Sequence, residues 1–164
     1  MPDYTKDIVV SWEEIHRLGR KLASALLHHS KWEGILCVTR GGMIPGGIIA
    51  RELEIRHIET ICIHSYHNKE QGNAKLIKSP EIPNDAENWL VVDDLSDTGN
   101  TFEKLRPLYP KPHFTSLYVK PEGKPNADTF IEEIPQNTWI HFPWDLELKP
   151  CEAIIDKQAT GRVA

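Results

Sequence analysis

One segment near the middle of the chain restricts the fold more than any other. An apolar run that begins at Trp89 ends in two adjacent acids, Asp93 and Asp94, and a third acid, Asp97, opens a small-residue turn. Short Val- and Leu-rich runs bounded by turn residues are typical of buried strands. Open α/β sheets bind ligands at the carboxyl ends of their strands. The segment therefore predicts a strand from Trp89 to Asp93 whose end presents acids to a ligand.

The turn after this strand has the composition of a phosphate-binding loop. Thr98, Gly99, Asn100 and Thr101 are small or polar, and a helical pattern follows them. Backbone N–H groups at the start of a helix attract anions. Paired carboxylates suit ribose hydroxyls and Mg²⁺, because hard cations take oxygen ligands. The sequence thus predicts one site that could hold a sugar, a metal and a phosphate.

Strand-like and helix-like patterns alternate along most of the chain. Ser11 and Glu14 form a capping-box pair, which predicts the start of a helix. Apolar residues then recur at the spacing of one helix face, at Ile15, Leu18, Leu22, Ala25 and Leu26. Strand-like runs occur at residues 34–39, 58–65, 115–119, 130–131 and 138–142. This alternation predicts an α/β fold with a mostly parallel central sheet flanked by helices.

Two shorter elements complete the predicted order. A helix through Phe102, Leu105 and Leu108 is expected after the central strand, and a short edge element is expected near residues 76–77.

Composition narrows the class of protein and its partners. The chain has 164 residues, about the size of one domain, and 24 acids against 19 bases give a net charge of −5. This balance argues against nucleic acid as the main partner. Because no run of about 18 apolar residues occurs, we expect a cytoplasmic protein. Peripheral contact with the cytoplasmic face of the inner membrane stays open.

The central motif resembles the phosphoribosylpyrophosphate (PRPP) signature of type I phosphoribosyltransferases: an apolar strand, two acids, then Asp-Thr-Gly. Further matching segments, in matching order, resemble the bacterial xanthine-guanine phosphoribosyltransferases in particular. They are residues 21–24, 38–42, 50–53, 55–57, 93–99, 120–121, 138–140 and 143–145. Together they run from about residue 8 to about residue 146.

The resemblance implies the type I phosphoribosyltransferase fold over residues 1–164 as a single domain. It places a core at about 8–120, a small purine-recognition hood at about 121–150, a weakly structured tail at about 151–164 and a flexible loop within 65–88. It also implies the family's reaction, in which an oxo-purine base attacks C1 of PRPP with Mg²⁺ present and pyrophosphate leaves. Guanine and xanthine are the expected bases, with hypoxanthine weaker.

Two alternative functions stay open at this stage. The chain could be specific for hypoxanthine and guanine, or it could be a PRPP- or nucleotide-sensing protein that does not catalyse transfer. A sensor has no need of an acid and a base-recognition set, so their presence favours the enzyme.

Family resemblance assigns PRPP contacts to two strand ends. Arg40 and Gly41 would bind the pyrophosphate, often through a cis peptide after the arginine position, and Arg40 can add a charge-assisted hydrogen bond. Asp93 and Asp94 would bind the ribose hydroxyls and Mg²⁺, with Asp94 nearer the metal. The expected PRPP-binding set continues through Leu95, Ser96, Asp97, Thr98, Gly99, Asn100 and Thr101.

A second set is expected to act on the purine. Asp97 would accept the N7 proton as general base, or act only electrostatically. Lys120 would donate to the oxygen at position 6, which adenine lacks. Trp139 would stack on the ring, the Ile140 backbone would read position 2, and Asp145 would favour a 2-amino group or support a second metal.

The family also implies a basic loop and an oligomer. The loop at 65–74 departs from the family, because Gly72 stands near the place where many members carry an arginine; Lys69 and Lys75 are candidates to replace it. We expect a homodimer or homotetramer, with exposed apolar surface near Trp89 or Tyr109 as a contact.

Overall fold

The structure is a computed structural model that describes residues 4–29, 31–64, 75–78, 80–83 and 85–145. The expected tail at 151–164 and the loop at 65–74 lie outside these residues. The chain divides into two compact units, one made of Met1–Glu14 with Asn137–Ala164 and the other of Ile15–Gln136.

The smaller unit is built on two strands from distant parts of the chain. Strand β1 (Lys6–Val9) pairs in parallel with β8 (Thr138–His141). Asn137 starts the pairing, since its carbonyl accepts hydrogen bonds from the N–H groups of Thr5 and Lys6. His141 Nε2 lies 2.9 Å from an Asp7 carboxylate oxygen at the other end.

Helix α1 (Trp12–Leu26) follows the predicted capping pattern. The Ser11 hydroxyl accepts a hydrogen bond of 3.1 Å from the Glu14 N–H, which satisfies one of the donors that a helix start leaves open. The buried face consists of Ile15, Leu18, Gly19, Leu22, Ala23 and Leu26. The prediction that Ala25 lies on this face was wrong. Its spacing from Leu22 fits a helix face, but the structure buries Ala23 and leaves Ala25 exposed.

The larger unit contains a six-stranded sheet in the order β4-β3-β2-β5-β6-β7. The strands are β2 (Gly34–Val38), β3 (His57–His64), β4 (Lys75–Lys78), β5 (Trp89–Ser96), β6 (His113–Val119) and β7 (Thr129–Glu133). All neighbours are parallel except β3 and β4. Helices α2 (Met43–Glu52) and α3 (Asn100–Leu105) and a 3₁₀ turn (Lys124–Asn126) complete the described elements of this unit. The α/β fold with a mostly parallel sheet is confirmed.

The central strands have continuous apolar sequences because they are buried. All five residues of β2 are buried, as expected for a parallel strand covered on both faces. Val91 on β5 belongs to one cluster with Leu36, Phe102 and Phe114, and the two phenylalanine rings meet edge to face with centroids 5.3 Å apart. This core holds β5, the strand that carries the acids.

Three sequence-based expectations differ from the structure. Strand β5 continues to Ser96 instead of ending at Asp93, because β6 pairs with it as far as Ser96–Val119. Helix α3 ends at Leu105, and Leu108 is 54% exposed. Trp89 is 1% exposed, so its side chain packs in the core and offers no exposed surface to a partner subunit.

The predicted hood range divides between the two units. Its strand β7 pairs with β6 in the main sheet, whereas Asn137 and the residues after it belong to the smaller unit. No helix among the described residues has the length and apolar character needed to cross a membrane.

Candidate active site

Unequal strand lengths create the site on β5. On one side, β2 pairs with β5 only as far as Cys37–Val92, since β2 ends at Val38. On the other side, β6 continues to pair through Ser96. The last four residues of β5 therefore extend beyond the pairing with β2, and Gly41 of the next turn lies against one of them, Asp94.

The turn after β2 approaches the acids closely enough to exclude a side chain. A Cβ atom at Gly41 would collide with the carboxylate of Asp94. The Thr39–Arg40 peptide is cis, one bond earlier than the family resemblance implied. Arg40 itself is exposed. The structure thus brings together two motifs that the sequence places more than fifty residues apart.

Asp93 and Asp94 are adjacent acids, of which Asp93 is buried and Asp94 half-buried. Asp93 is 9% exposed, and its Oδ1 accepts a hydrogen bond of 3.0 Å from the Asp94 N–H. Asp94 Oδ1 accepts one of 2.7 Å from the Leu95 N–H. Burial, and then the charge of Asp94, hold the pKa of Asp93 well above its usual range. Burial and Asp93 likewise raise the pKa of the Cys37 thiol to about 11. A cation here would relieve a real electrostatic cost.

The turn after β5 forms a small cavity. Asp93 and residues 95–102 line a space of about 80 Å³, several times what one water molecule needs. Gly99 precedes α3 with φ of +79°, a left-handed conformation that favours glycine. A Cβ at Gly99 would also meet Asn126 Nδ2 at 2.5 Å. The predicted loop of Thr98, Gly99, Asn100 and Thr101 is therefore one concave surface.

Ser96 makes hydrogen bonds that the sequence did not predict. Its hydroxyl donates to the carbonyl of Gly123 at 3.1 Å, and its carbonyl accepts the Lys120 N–H at 3.0 Å. Ser96 therefore connects the turn after β6 to β5, and it also lines the cavity.

Asp97 and Lys120 form an ion pair. Lys120 Nζ lies 2.9 Å from Asp97 Oδ2, and the lysine side chain is 1% exposed against 31% for the aspartate. A lysine is almost never buried to this extent unless it is paired. The two residues predicted to act on the purine edge therefore meet directly, although no local sequence pattern links β5 to the end of β6.

Sequence reasoning missed one member of this group. Gln136 Nε2 donates to Asp97 Oδ1 at 3.0 Å, and the Glu122 N–H donates to Gln136 Oε1 at 3.0 Å. Gln136 follows a proline in a segment without helical or strand periodicity, and it lies 39 residues after Asp97. No signal in the sequence distinguished it.

The other predicted purine contacts belong to the smaller unit. The indole of Trp139 is 44% exposed and meets Tyr4 edge to face at 5.0 Å. Ile140 is 5% exposed. Asp145 bonds within its own turn, where its Oδ2 accepts the Phe142 N–H at 3.3 Å. Their role in purine binding stays a prediction.

A larger cavity elsewhere in the same unit lacks the predicted chemistry. It measures about 600 Å³ and is lined by residues of α2 and of the segment that follows, including Arg51, Glu54 and Arg56. None of the predicted site residues lines it. Size alone therefore does not locate the site; the acids and the turn do.

The residues present fit a magnesium ion that substrate helps to bind. Among residues 4–29, 31–64, 75–78, 80–83 and 85–145, no cluster of three or more His, Cys, Asp or Glu side chains could hold a metal alone. Mg²⁺ commonly uses one or two carboxylates together with substrate phosphates and waters. The adjacent carboxyl groups of Asp93, which is buried, and Asp94, which is half-buried, meet that description.

Comparison with known proteins agrees with this geometry. The model of the phosphoribosyl transferase domain family matches residues 9–150. A xanthine-guanine phosphoribosyltransferase of Desulfotalea psychrophila is 46% identical over 156 residues, covering 94% of this chain and 96% of that relative.

Solved structures give the same result. A purine phosphoribosyltransferase from Pyrococcus horikoshii superposes with a TM-score of 0.76 at 25% identity, covering 91% of this chain and 99% of that one. A xanthine-guanine-hypoxanthine phosphoribosyltransferase from Helicobacter pylori gives 0.72 at 28%, covering 85% and 94%.

The mostly parallel sheet, the acidic strand end and the two glycine turns are those of an α/β enzyme that transfers groups from activated sugar phosphates. The chain belongs to the phosphoribosyltransferase family, as its sequence motifs predicted.

Proposed function

We propose that this chain is a purine salvage enzyme that transfers the phosphoribosyl group of PRPP to guanine or xanthine, and more weakly to hypoxanthine. The observation that carries the proposal is the Asp97–Lys120 pair, 2.9 Å apart at the end of the acid-bearing strand. On an oxo-purine, N7 and the oxygen at position 6 are neighbours on one edge. An acceptor beside a donor matches that edge, whereas adenine carries an amino group where Lys120 needs an acceptor.

The PRPP portions are assigned to the neighbouring features. Backbone N–H groups of residues 98–101 bind the 5′-phosphate, and Arg40 with the Gly41 turn binds the pyrophosphate. Asp93 and Asp94 bind the ribose hydroxyls and hold Mg²⁺, which neutralises phosphate charge when bound. Because Gly41 lies against Asp94, the pyrophosphate and ribose parts of this site are contiguous.

Asp97 acts when the purine attacks C1. Positive charge grows on the ribose ring and on the incoming base as pyrophosphate leaves. Asp97 accepts the N7 proton as general base, or stabilises that charge without proton transfer. Both roles need the carboxylate beside N7, and its partial exposure leaves it accessible to substrate.

The relatives support the choice of base. The Desulfotalea psychrophila relative is named for xanthine and guanine, and the Helicobacter pylori structure for xanthine, guanine and hypoxanthine. We extend the first two bases to this chain because Lys120, Trp139 and Ile140 all stand in matching segments. Asp145 is assigned to the 2-amino group of the base, and its Oδ2 also accepts the Phe142 N–H within its own turn.

A direct assay tests the function. Incubate the protein with PRPP, Mg²⁺ and each of guanine, xanthine, hypoxanthine and adenine, and follow nucleotide and pyrophosphate formation. We expect turnover with guanine and xanthine, less with hypoxanthine and none with adenine. Competition among the bases ranks them. Tight PRPP binding by calorimetry without turnover on any base would reject the enzyme and favour a sensor.

Three further assignments complete the proposal. Mg²⁺ is the metal, the active form is a homodimer or homotetramer, and the protein acts in the cytoplasm. Chelation of Mg²⁺ should abolish turnover, and sedimentation should give a mass above 18.7 kDa for the assembly.

A further inference from the structure

Asp97 receives hydrogen bonds on both of its carboxylate oxygens. Lys120 Nζ lies 2.9 Å from Oδ2, and Gln136 Nε2 lies 3.0 Å from Oδ1. A carboxylate held at both oxygens cannot rotate about its terminal bond without losing one partner. Lys120 is already assigned to the purine, so Gln136 is the contact whose purpose the proposed reaction leaves unexplained.

The orientation of the Gln136 amide is fixed by its other end. The Glu122 N–H is a donor and lies 3.0 Å from Oε1, so the amide oxygen must face it. The amide nitrogen therefore faces Asp97. A flipped amide would set a donor against a donor at Glu122 and an acceptor against the carboxylate at Asp97.

The turn that supplies the Glu122 N–H is itself attached to the acid-bearing strand. Ser96 donates to the Gly123 carbonyl at 3.1 Å and accepts from the Lys120 N–H at 3.0 Å. A Cβ at Gly123 would collide with the Ser96 carbonyl. The turn is therefore held against β5. Gln136 bonds to this turn through Glu122 and to Asp97, so the turn fixes where the Gln136 amide meets Asp97.

We infer that Gln136 is a positioning residue for the reaction: its amide holds the Asp97 carboxylate in the orientation that meets the purine N7. This inference rests on the proposed function. Gln136 contacts Asp97 rather than substrate, and it acts by keeping one oxygen of Asp97 directed. Small misplacements of catalytic groups cost large factors in rate, up to about 100-fold for a displacement near 1 Å.

Replacement of the amide tests the inference. Gln136→Met keeps most of the side-chain volume and removes the donor. We expect kcat to fall about 10- to 100-fold while the KM for PRPP stays unchanged, because the phosphate and ribose contacts lie elsewhere. Circular dichroism melts show whether the variant is folded at the assay temperature.

Gln136→Glu separates positioning from packing. It keeps the shape and the acceptor for Glu122 but sets a second carboxylate against Asp97. We expect a larger loss of kcat than with methionine at pH 8. The rate relative to wild type should rise as pH falls, since a protonated carboxyl regains a donor. A purely structural contact would give no such recovery.

A double-mutant cycle with Asp97→Asn assigns the effect to the contact. In that background Gln136→Met should change kcat little. Asn88→Leu is the matched control: it removes an amide that bonds a carboxylate, Glu33, at 3.4 Å, at the opposite end of β5, and should leave kcat unchanged.

The outcomes separate two failures. If Asp97→Asn loses activity but Gln136→Met and Gln136→Glu keep wild-type kcat, the positioning role is wrong and the proposed function stands. If Asp97→Asn itself retains full activity, the assignment of Asp97 fails. Should Gln136→Met not fold, the pH profile of Gln136→Glu decides.

Discussion

The acid pair Asp93–Asp94 near the end of β5 and Asp97, which follows the strand, differ in how their charges are balanced. Asp93 and Asp94 are adjacent like charges, and Asp93 is buried with a raised pKa. Asp97, three residues further on, is paired with buried Lys120 and hydrogen-bonded by Gln136. The charges of the first pair repel each other, so the pair favours a cation or hydroxyl donors. The second is preorganised by the protein. The end of β5 therefore carries an acid pair whose charge a ligand would balance, and the next acid along the chain is already balanced by protein groups.

The largest expected effect is on the preorganised group. Asp97→Asn keeps the shape of the side chain but removes its charge. We expect kcat to fall about 10²- to 10⁴-fold if general-base catalysis is large, with PRPP binding retained. Steady-state kinetics and PRPP calorimetry measure the two effects. An unchanged kcat would remove both the proton-transfer and the electrostatic role.

A change in the Gly41 turn is expected to affect the acid pair Asp93–Asp94, because Gly41 lies against Asp94. In Gly41→Ala, the new Cβ would collide with the Asp94 carboxylate, so the turn or the acid must move. We expect the KM for PRPP to rise up to about 100-fold. Affinity for free purine nucleobase should change much less. Equal losses for PRPP and base would show that the acid pair and Asp97 do not act separately.

Lys120 is the partner of Asp97 that we assign to base selection. Lys120→Met removes the donor to the purine oxygen and keeps much of the buried stem. Loss of a charged hydrogen bond of about 1.5 kcal/mol predicts at least a roughly tenfold lower kcat/KM for guanine, because Asp97 also loses its partner on Oδ2. PRPP affinity should not change. A variant that loses PRPP affinity instead would show that Lys120 was assigned to the wrong substrate.

The smallest expected effect is on the stability of the fold, and its sign should differ between Asp93 and Asp97. Because the pKa of Asp93 is raised in the folded protein, folding favours its protonated form. That contribution is present below about pH 4, the unfolded value, and is lost as pH rises through the raised folded value.

Asp93→Asn cannot ionise, so without ligand its Tm should exceed that of wild type near neutral pH. The difference should vanish below about pH 4. Each 1 kcal/mol corresponds to about 2–4 °C for a chain of this length. Asp97→Asn should lower Tm instead, because it leaves the Lys120 charge buried with a weaker partner. Thermal melts across pH distinguish the two; a lower Tm for Asp93→Asn at pH 7 contradicts the comparison.

Much of the fold could be predicted because its signals are local. The apolar runs located the central strands, and the Ser11 capping pattern located the start of α1. The exact end of β5 could not be predicted, because pairing with β6 extends it past the acids. Trp89 was misassigned to the surface because hydrophobicity alone does not separate an exposed ring from a core ring.

Parts of the site were predictable for the same reason. The acids, the Asp-Thr-Gly turn and the Arg40–Gly41 turn are each continuous in sequence, and the family resemblance added Lys120. Gln136 was not predictable, because its contacts with Asp97 and Glu122 join segments 39 and 14 residues apart. Hydrogen bonds between distant residues produce no periodic pattern in the sequence.

The sequence by itself determined the alternating strands and helices and the acidic turn to which we assign the chemistry, because side-chain periodicity and turn preferences act between near neighbours. Only the tertiary structure decided that Gly41 lies against Asp94 and that Lys120 and Gln136 together hold Asp97. Those contacts depend on strand register and on one turn packing against β5, and such distances are set when the whole sheet assembles.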